Sequence, residues 1–467
     1  MQPTNNKLSF RVIAIRSTIM VGISVLVGVL SKYAGFTDSK QILATSIFAL
    51  IISATLLFWN FRLAIAFIGM AIILAGNVIT LEQFINSAEL DIILFLVGMM
   101  TLVGVLKDLG LFSWIIQSVI KMKKMNGYLF IVIVMFMSAL MASLVDEVTS
   151  IVFMLALIFQ VCDTLKIKPT SFVIISVVAT NIGSSGTMLG NPIGILIGTK
   201  AGFSFIDFMI TAFPIMSISL LGALGIVMLW YKKDIQLFTE RLEIKRSMLI
   251  GLGPLIEIPY KKGLVILGLA ITLIALHHFL EQKLGVHKNT LLIVAPLAIS
   301  GVLMIWKNER ARHYVESEVE WWTLLFFMML FAVAGSLEKT GVTQEVAQNF
   351  VSHFGNNPIV LTPVILFITA AGSAFVDNIV FVAAFIPIIK EIGEPILWWA
   401  LLFGGCFGGN ITLIGSTANI VALGMIEKRY HKHITFFEWF RFGILIGVIT
   451  CIIACCAILL IIMVGQP

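Results

Sequence analysis

The amino-acid sequence predicts an all-α polytopic membrane protein with inverted repeats, each containing a re-entrant helical hairpin and a discontinuous helix. The 467 residues are 59% hydrophobic and 12% charged, whereas soluble domains carry about 25% charged residues. Long apolar segments alternate with short basic loops, and the second half of the chain repeats the pattern of the first. At about 20 apolar residues per span, we expect about 11 transmembrane helices plus the two hairpins.

Nine segments have the length and hydrophobicity of uninterrupted spans. They lie near residues 18–33, 42–59, 63–79, 92–106, 205–230, 264–279, 291–305, 322–337 and 442–464. Two further helices are predicted to be interrupted within the membrane.

Basic residues predict the topology, because short loops rich in Lys and Arg remain on the cytoplasmic side. Lys7, Arg11 and Arg16 place the N-terminus in the cytoplasm. No A-x-A-like cleavage site follows the first apolar run, which is interpreted as a retained span. Residues 232–262 hold seven Lys/Arg and four Asp/Glu, which predicts a cytoplasmic linker. We expect a multi-pass protein of the cell membrane that contacts lipid and binds no nucleic acid.

Two adjacent carboxylates, Asp146 and Glu147, lie in a run that is otherwise uncharged from residue 125 to residue 162. A charge at membrane depth costs roughly 2.5–3.5 kcal/mol on insertion scales, so the pair needs a polar partner, an ion or a water-filled cavity. Only 15 uncharged residues follow the pair, and 12 follow Asp377. Both segments are short for a span and are predicted to be the second arms of re-entrant hairpins. The alternative is a plain loop between two spans.

The two halves of the chain share one pattern at a nearly constant offset. The offset that carries Asp146 onto Asp377 also carries residues 89–95 onto 320–326. A slightly smaller offset carries the next segment of the first half onto the second: Gly183, Thr187, Gly190 and Ile195 correspond to Gly408, Thr412, Gly415 and Ile420. The basic loops place the ends of the two hairpins on opposite sides, so the repeats are predicted to be inverted.

The linker separates these halves. Copy 1 lies in residues 1–231, with its hairpin near 127–163 and its broken helix near 170–199; copy 2 lies in residues 263–467, with its hairpin near 358–390 and its broken helix near 396–426.

Each hairpin is followed by an uncharged segment with helix-breaking residues at its centre. Residues 170–199 number 30, too many for one span and too few for two, and contain three glycines and Pro192 within ten positions. Glycine weakens a helix by about 1 kcal/mol and proline by about 3 kcal/mol relative to alanine. Carbonyl ends of half-helices can coordinate a cation, and their N-termini can face an anion. The alternative is a glycine-rich packing face between helices.

These motifs resemble those of the ion transporter superfamily. Residues 375–380, FVDNIV, resemble its FLDN-type hairpin motif, and residues 144–149, LVDEVT, are the companion in copy 1. Residues 187–192 and 409–419 are similar to its TLIGDPPN and GGNGTLIGxxAN segments, and residues 89–110 resemble the segment before the hairpin in P proteins. The superfamily includes NhaD-type sodium/proton antiporters, ArsB-type arsenite pumps, P proteins, citrate–metal carriers and divalent-anion/sodium symporters. The resemblance implies a scaffold/transport division, a homodimer and elevator-type movement.

This sequence departs from the P-protein pattern at two positions of the first broken helix. Asn191 stands where that pattern has Asp, and Gly194 stands where it has Asn.

The preferred hypothesis is a secondary active exchanger of a cation, with Na+ foremost, for H+. A hard cation suits carboxylate, hydroxyl, amide and carbonyl oxygens, and a carboxylate in a low-dielectric site tends to hold a proton. The candidate ion- and proton-coupling residues are Asp146, Asp377 and Glu147. For Glu147 two roles stay open, an extra proton carrier or the partner of a loop lysine in a salt bridge. The candidate cation ligands are Ser143, Thr149, Asn181, Gly183, Ser373, Asn378, Gly408 and Asn410. The candidate substrate contacts are Ser184, Ser185, Thr187, Asn191, Thr412, Ser416, Thr417 and Asn419. A bound Na+ is expected, and no other cofactor.

The alternative within transport is Na+- or H+-coupled movement of an anion, arsenite or a di- or tricarboxylate. Half-helix N-termini and hydroxyl groups could receive it, although no Arg or Lys lies inside either break. An intramembrane aspartyl protease also needs two membrane aspartates, but neither Asp146 nor Asp377 lies in a Gly-x-Gly-Asp motif. A simple channel is a further alternative, which saturable counterflow would exclude. The protein is not expected to be an enzyme.

Overall fold

The computed structural model describes residues 10–33, 36, 38–58, 61–120, 122, 124–247 and 259–465. Lys7 of the predicted topology signal and residues 248–258 of the predicted linker lie outside these described residues. Within them, every regular element is a helix and no strand is present.

The helices follow one another closely along the described ranges. In chain order they are α1 (Phe10–Tyr33), α2 (Ser39–Leu57), α3 (Arg62–Ala75), α4 (Leu81–Ser87), α5 (Leu90–Asp108), α6 (Leu111–Ile120), α7 (Gly127–Leu144), α8 (Glu147–Leu165), α9 (Thr170–Gly183), α10 (Pro192–Ala201), α11 (Phe205–Asp207), α12 (Phe213–Trp230), α13 (Lys232–Ser247), α14 (Lys261–Ala275), α15 (His277–Leu284), α16 (Thr290–Trp306), α17 (Ala311–His313), α18 (Trp321–Lys339), α19 (Val342–Phe354), α20 (Pro358–Phe375), α21 (Asn378–Ile392), α22 (Leu397–Gly408), α23 (Thr417–Tyr430) and α24 (Phe436–Gly465). Two π-helical turns, Phe208–Ala212 and Tyr314–Glu318, and one 3-10 turn, Asn308–Arg310, lie between them.

The predicted membrane character is confirmed. Among the described residues, nine helices are long and apolar enough to cross a membrane, or eleven if each of two bent pairs is one span. The bent pairs are α14 with α15, at 59°, and α16 with the segment Asn308–Glu318, at 108°. The chain is therefore a multi-pass, all-helical membrane protein.

The second arms of both hairpins are longer than the count of uncharged residues predicted. α8 has 19 residues and α21 has 15. The count for α8 ended at Asp163, but the helix continues to Leu165 because the Asp163 carboxylate is half-exposed and accepts hydrogen bonds from Arg429 and Tyr430. A charged residue near a helix end does not terminate the helix when its side chain has such hydrogen-bond partners.

The predicted linker is partly helical. Its first 16 residues form α13, which packs against the start of the first hairpin. A Cβ at Gly127 would overlap the carbonyl oxygen of Ile235, and the backbone N–H of Gly127 donates to Thr239 Oγ1 at 2.9 Å.

The chain divides into two compact units. The first comprises Met1–Ile93, Glu320–Gly355 and Ala383–Gly393. At its centre, α18 packs on α2, α3, α4 and α19. Lys390 also pairs with Glu338 at 2.8 Å, which ties the end of α21 to the end of α18.

The second unit comprises Leu94–Val319, Asn356–Val382 and Glu394–Pro467. In it, α7 packs along α9, and α20 packs along α22. α12 and α24 pack against each other and against these pairs. Each hairpin therefore lies beside the broken helix of its own copy.

Matching close contacts confirm the internal repeat. A Cβ at Gly183 would overlap the backbone of Ala139, and a Cβ at Gly408 would overlap the backbone of Ala370. Ala139 and Ala370 are related by the same offset as Asp146 and Asp377, whereas Gly183 and Gly408 are related by the smaller one. The same contact between hairpin and broken helix therefore occurs in both copies, with the alanines related by the larger offset and the glycines by the smaller one.

The first break lies between α9 and α10 and the second between α22 and α23, and the two breaks match between the copies. Thr187 Oγ1 donates to the carbonyl of Ser143, and Thr412 Oγ1 donates to the carbonyl of Ala374. The N–H groups two residues later, in Leu189 and Ile414, donate back to those hydroxyl oxygens at 3.1 and 3.3 Å. One turn geometry therefore serves both breaks. The opposite membrane orientation of the copies remains a prediction from the basic loops.

Candidate ion and substrate site

The two hairpin aspartates begin the second arms of their hairpins. Asp146 is the N-cap of α8, and its Oδ1 accepts from the backbone N–H of Thr149 at 2.7 Å. Asp377 immediately precedes α21; its Oδ1 accepts from Ile379 N at 3.1 Å, and its Oδ2 accepts from Thr417 Oγ1 at 3.0 Å. A carboxylate at this position satisfies backbone donors that a helix start leaves unpaired. Both aspartates thus have a structural role whether or not they bind an ion.

Glu147 has different surroundings from Asp146. It is the first residue of α8 and its side chain is 2% exposed. Ser416 Oγ, in the second break, donates to Glu147 Oε1 at 3.5 Å. Ser184 and Asn191, in the first break, also lie near this carboxyl group, and both hairpin aspartates are within electrostatic range. The Glu147 side chain thus contacts or approaches both broken helices.

The serines that close α9 donate to carbonyls of their own helix end. Ser184 Oγ donates to Asn181 O at 3.1 Å, and Ser185 Oγ donates to Ile182 O at 2.7 Å. Ser143, from the hairpin, donates to Gly183 O at 2.6 Å. The carbonyls predicted as cation ligands near Gly183 therefore already have protein donors, although each keeps a second lone pair.

The helix end in copy 2 has similar contacts. Ser373 Oγ donates to Gly405 O at 2.6 Å, and Gly408 O accepts from Ile411 N at 3.0 Å. Asn378, the counterpart of Glu147, is fully buried, and its Oδ1 accepts from Ile379 N at 2.9 Å.

Asparagine and serine side chains start the second half of each broken helix. Asn191 is the N-cap of α10 and accepts from Gly194 N at 2.9 Å; its Nδ2 donates to Ser184 Oγ at 3.0 Å. Ser416 is the N-cap of α23 and accepts from Ala418 N at 3.2 Å.

Three amides from both breaks form one buried cluster. Asn181 Nδ2 donates to Asn410 Oδ1 and to Asn419 Oδ1, both at 2.9 Å. Asn419 Nδ2 donates to the carbonyls of Gly409 and Thr412 at 2.7 and 2.8 Å. Asn181 is a predicted cation ligand and Asn419 a predicted substrate contact; the structure brings the two side chains into direct contact.

Four buried polar atoms in this region have no hydrogen-bond partner within the described part of the chain. They are Glu147 Oε2, Asn181 Oδ1, Asn378 Nδ2 and Asn410 Nδ2. Leaving such an atom unpaired in a dry interior costs roughly 1–3 kcal/mol. Two oxygens and two N–H donors are thus available for a ligand.

Two residues at the site have no counterpart among the sequence predictions. Cys406 Sγ lies 3.2 Å from Asn191 Nδ2, and Trp439 Nε1 donates to Asn410 O at 3.0 Å. The repeat could have identified Cys406, because the offset between Gly183 and Gly408 also carries Asn181 onto it. Trp439 lies in α24, outside the repeat pattern, and no sequence signal marked it.

The acidic residues do not form a chelating cage. Among the described residues, no group of three His, Cys, Asp or Glu side chains could hold a metal ion. Glu147 also has no ion-pair partner among the described residues. The salt bridges in this part of the chain lie at helix ends and in loops.

Comparison with known proteins identifies the family of this chain. A profile of the CitMHS family, described as citrate transporters, matches residues 47–404. The chain belongs to the citrate transporter family. It is therefore a secondary transporter of the membrane and not an enzyme.

Relatives of this chain agree with the superfamily predicted from its sequence. An uncharacterized transporter of Mycobacterium tuberculosis is 32% identical over 402 residues, covering 84% of this chain and 91% of the relative. The P protein of Homo sapiens is 24% identical over 513 residues, covering 91% of this chain and 60% of that protein.

A solved structure shares the fold of this citrate transporter family member. The YdaH transporter of Alcanivorax borkumensis, described as having an unusual topology, aligns with a TM-score of 0.53 and 17% identity. The alignment covers 92% of this chain and 99% of that chain. The membrane fold predicted from the sequence is thus found in an experimentally solved transporter.

Proposed function

We propose that this transporter exchanges a monovalent cation, with Na+ foremost, for H+ at Glu147. One observation carries the proposal: Glu147 is a 2%-exposed carboxylate that has no basic partner among the described residues and whose Oε2 accepts no hydrogen bond there. A carboxylate removed from water must be neutralised. A proton or a cation can do so, but both cannot bind the same oxygens at once.

This competition gives exchange without a separate gate. When the site faces one side, a cation displaces the proton from Glu147; when it faces the other side, a proton displaces the cation. Asp146 and Asp377 add negative potential and hold the starts of α8 and α21. Amide and hydroxyl oxygens complete the coordination of a hard monovalent ion.

We further propose elevator-type movement of the second unit. In support, the residues named for the site all lie in that unit, so one compact body can carry the whole site. The homodimer, the cell-membrane location and the cytoplasmic N-terminus belong to the same proposal and rest on the superfamily resemblance and on the basic residues.

Purified protein in proteoliposomes tests the proposed exchange. With a Na+ gradient and a pH-sensitive dye inside the vesicles, the wild type should acidify or alkalinise the lumen according to the gradient direction. Glu147→Gln should reduce the exchange to that of protein-free vesicles, because the amide cannot carry a proton. Exchange by E147Q at the wild-type rate would refute the proposal.

Glu281→Gln is the matched control. Glu281 is also 2% exposed, but its two oxygens accept from the backbone N–H groups of Asn289 and Leu291 at 3.0 and 2.8 Å. Its carboxylate therefore has fixed protein partners. Per folded molecule, E281Q should exchange like the wild type.

Coupled transport of a carboxylate anion is the second candidate function. The unpaired donors Asn378 Nδ2 and Asn410 Nδ2 favour it, because an N–H group needs an acceptor and cannot bind a cation. The name of the citrate transporter family points to the same chemistry. Thermal stabilisation by citrate, succinate and arsenite, each with Na+ or with choline, separates the candidates: an anion effect that requires Na+ would favour cotransport over simple exchange.

A further inference from the structure

The orientation of the three clustered amides follows from their hydrogen bonds. Asn419 Nδ2 donates to two backbone carbonyls, Gly409 O and Thr412 O. A flipped Asn419 amide would place its oxygen against both carbonyl oxygens, so its orientation is fixed by the backbone of the second break. Asn419 Oδ1 must then point toward Asn181.

The next amide is fixed in turn. Asn181 must present its Nδ2 to Asn419 Oδ1, and the same Nδ2 donates to Asn410 Oδ1. If the Asn181 amide were flipped, its oxygen would face the side-chain oxygens of Asn410 and Asn419. Asn181 Oδ1 is thereby turned away from the cluster, is fully buried and has no partner among the described residues.

We infer that Asn419 and Asn181 form an amide relay that presents Asn181 Oδ1, in the first break, as a ligand for the transported monovalent cation. The orientation of this ligand is determined by the backbone of the second break. Asn419 is a positioning residue in this relay, and Asn410 accepts from Asn181 without being fixed by the backbone. The inference rests on the proposed cation exchange and names one ligand and its positioning residue.

The relay predicts different effects for two chemically identical substitutions. In Asn410→Ala, Asn181 Nδ2 still faces Asn419 Oδ1, so the ligand keeps its orientation and the apparent Na+ affinity should fall less than in Asn419→Ala. In Asn419→Ala, the Asn181–Asn410 pair can bond in either of two orientations. If only a fraction of molecules presents Oδ1, the apparent affinity should fall about two- to tenfold, with the maximal rate retained.

A second substitution should restore the orientation. The carboxylate introduced by Asn410→Asp can only accept hydrogen bonds, so it forces Asn181 to donate its Nδ2 even in the absence of Asn419. The relay therefore predicts that N410D raises Na+ affinity by a larger factor in the N419A background than in the wild type. N419A could instead weaken Na+ binding through lost packing at position 419 or through the two carbonyls that lose their donor. In that case N410D would not restore the Na+ affinity. Coupling of neighbouring residues is measured by such a cycle.

The measurement is the shift of the unfolding temperature with NaCl against choline chloride, for the full-length protein in detergent. Equal Na+ affinity of N419A and wild type, or equal effects of N410D in both backgrounds, would overturn the relay. If N419A does not fold, Asn181→Ala removes the same ligand without freeing a backbone carbonyl; it should abolish the Na+-dependent shift, and an unchanged shift would overturn the inference.

Failure of the relay and failure of the proposed function give different results. A wild type without any Na+-dependent shift would refute both. A wild-type shift that N419A weakens, combined with normal exchange by E147Q, would support the relay and refute the proton-carrying role of Glu147. Loss of exchange in E147Q, combined with a wild-type Na+-dependent shift in N419A, would support the proton-carrying role of Glu147 and refute the relay.

Discussion

Asp146 and Glu147 are adjacent in the chain, but their side chains have different environments. The Asp146 carboxylate holds the N–H of Thr149 at the start of α8. The Glu147 carboxylate lies between the breaks and keeps one oxygen without a partner among the described residues. At the residue scale, the repeat symmetry of Asp146 and Asp377 reflects a shared capping role, and the asymmetric residue Glu147 has the more suitable surroundings for a proton carrier.

Substitutions of Asp146 should separate its capping role from its charge. Asn caps a helix about as well as Asp, whereas Ala costs about 1 kcal/mol. D146N should therefore unfold at nearly the wild-type temperature and D146A about 1 °C lower, because the unfolding entropy of a chain of this length is large. Thermal unfolding in detergent measures both, and equal unfolding temperatures would contradict the capping role. The charge contributes separately: D146N should bind Na+ less tightly than the wild type.

The competition between Na+ and H+ should appear in the pH dependence of exchange. As the pH falls, the Na+ concentration for half-maximal exchange should rise by up to about tenfold per pH unit, because one proton competes for one site. The maximal rate at saturating Na+ should change much less. Initial rates over a grid of pH and Na+ test this, and a falling maximal rate at constant half-saturation would argue against a shared site.

At the scale of elements, the hairpins and broken helices depend on close approach at two glycines. Gly183 lies against the backbone of Ala139, and Gly408 lies against the backbone of Ala370. No side chain fits at either contact, since the opposing atoms are main-chain atoms that cannot rotate away. These glycines therefore serve packing, as the alternative interpretation of a glycine-rich face proposed, and they also position the breaks.

Alanine substitutions should show this requirement. G183A and G408A should each destabilise the protein by about 1–3 kcal/mol or more, the typical cost of overpacking. Gly424, in the middle of α23, has no other atom within 4 Å of the position that a Cβ would take, so G424A should instead stabilise by about 0.5–1 kcal/mol. Unfolding temperatures of the three variants provide the comparison. A neutral G183A or G408A would contradict the close contact.

At the scale of the whole molecule, α8 and α23 connect the site to a distant ionic cluster. Both helices start at the site and pack against each other. At their other ends, Asp163 accepts from Arg429 Nη2 and from Tyr430 OH, both at 2.7 Å. The Arg429 and Asp163 side chains are 53% and 41% exposed, so the ion pair itself contributes little stability. Its position joins copy 1 to copy 2 within the second unit.

Cross-linking at this cluster should distinguish two kinds of movement. Cysteines at positions 163 and 429, in a Cys456→Ser background, can be joined by a bifunctional maleimide. If the second unit moves as one body, the cross-linked protein should exchange Na+ for H+ at nearly the rate of the uncross-linked sample. If cross-linking abolishes exchange but a monofunctional maleimide does not, the two copies move against each other.

Much of the fold could be predicted because its determinants are local in the sequence. Hydrophobic length determines the spans, helix-breaking residues determine the breaks between α9 and α10 and between α22 and α23, and the two nearly equal offsets between matching residues reveal the repeat. The longer α8 escaped prediction because Asp163 gains its partners from α23, far along the chain. The helical part of the linker was also not predicted, although Ile235, Phe238 and Leu242 are buried at helical spacing along it, because its many charged residues make it too polar to be a membrane span.

Composition and spacing along the chain are enough to establish the membrane class, the repeat and the segments that hold the candidate site. Which side chains meet within those segments follows only from their packing. The amide cluster of Asn181, Asn410 and Asn419, the approach of Glu147 to Ser416 and the contact of Cys406 with Asn191 all join residues from opposite halves of the chain. Such contacts depend on how hairpins and breaks pack in three dimensions. For that reason the same two adjacent carboxylates proved to be a helix cap and a buried, incompletely bonded acid.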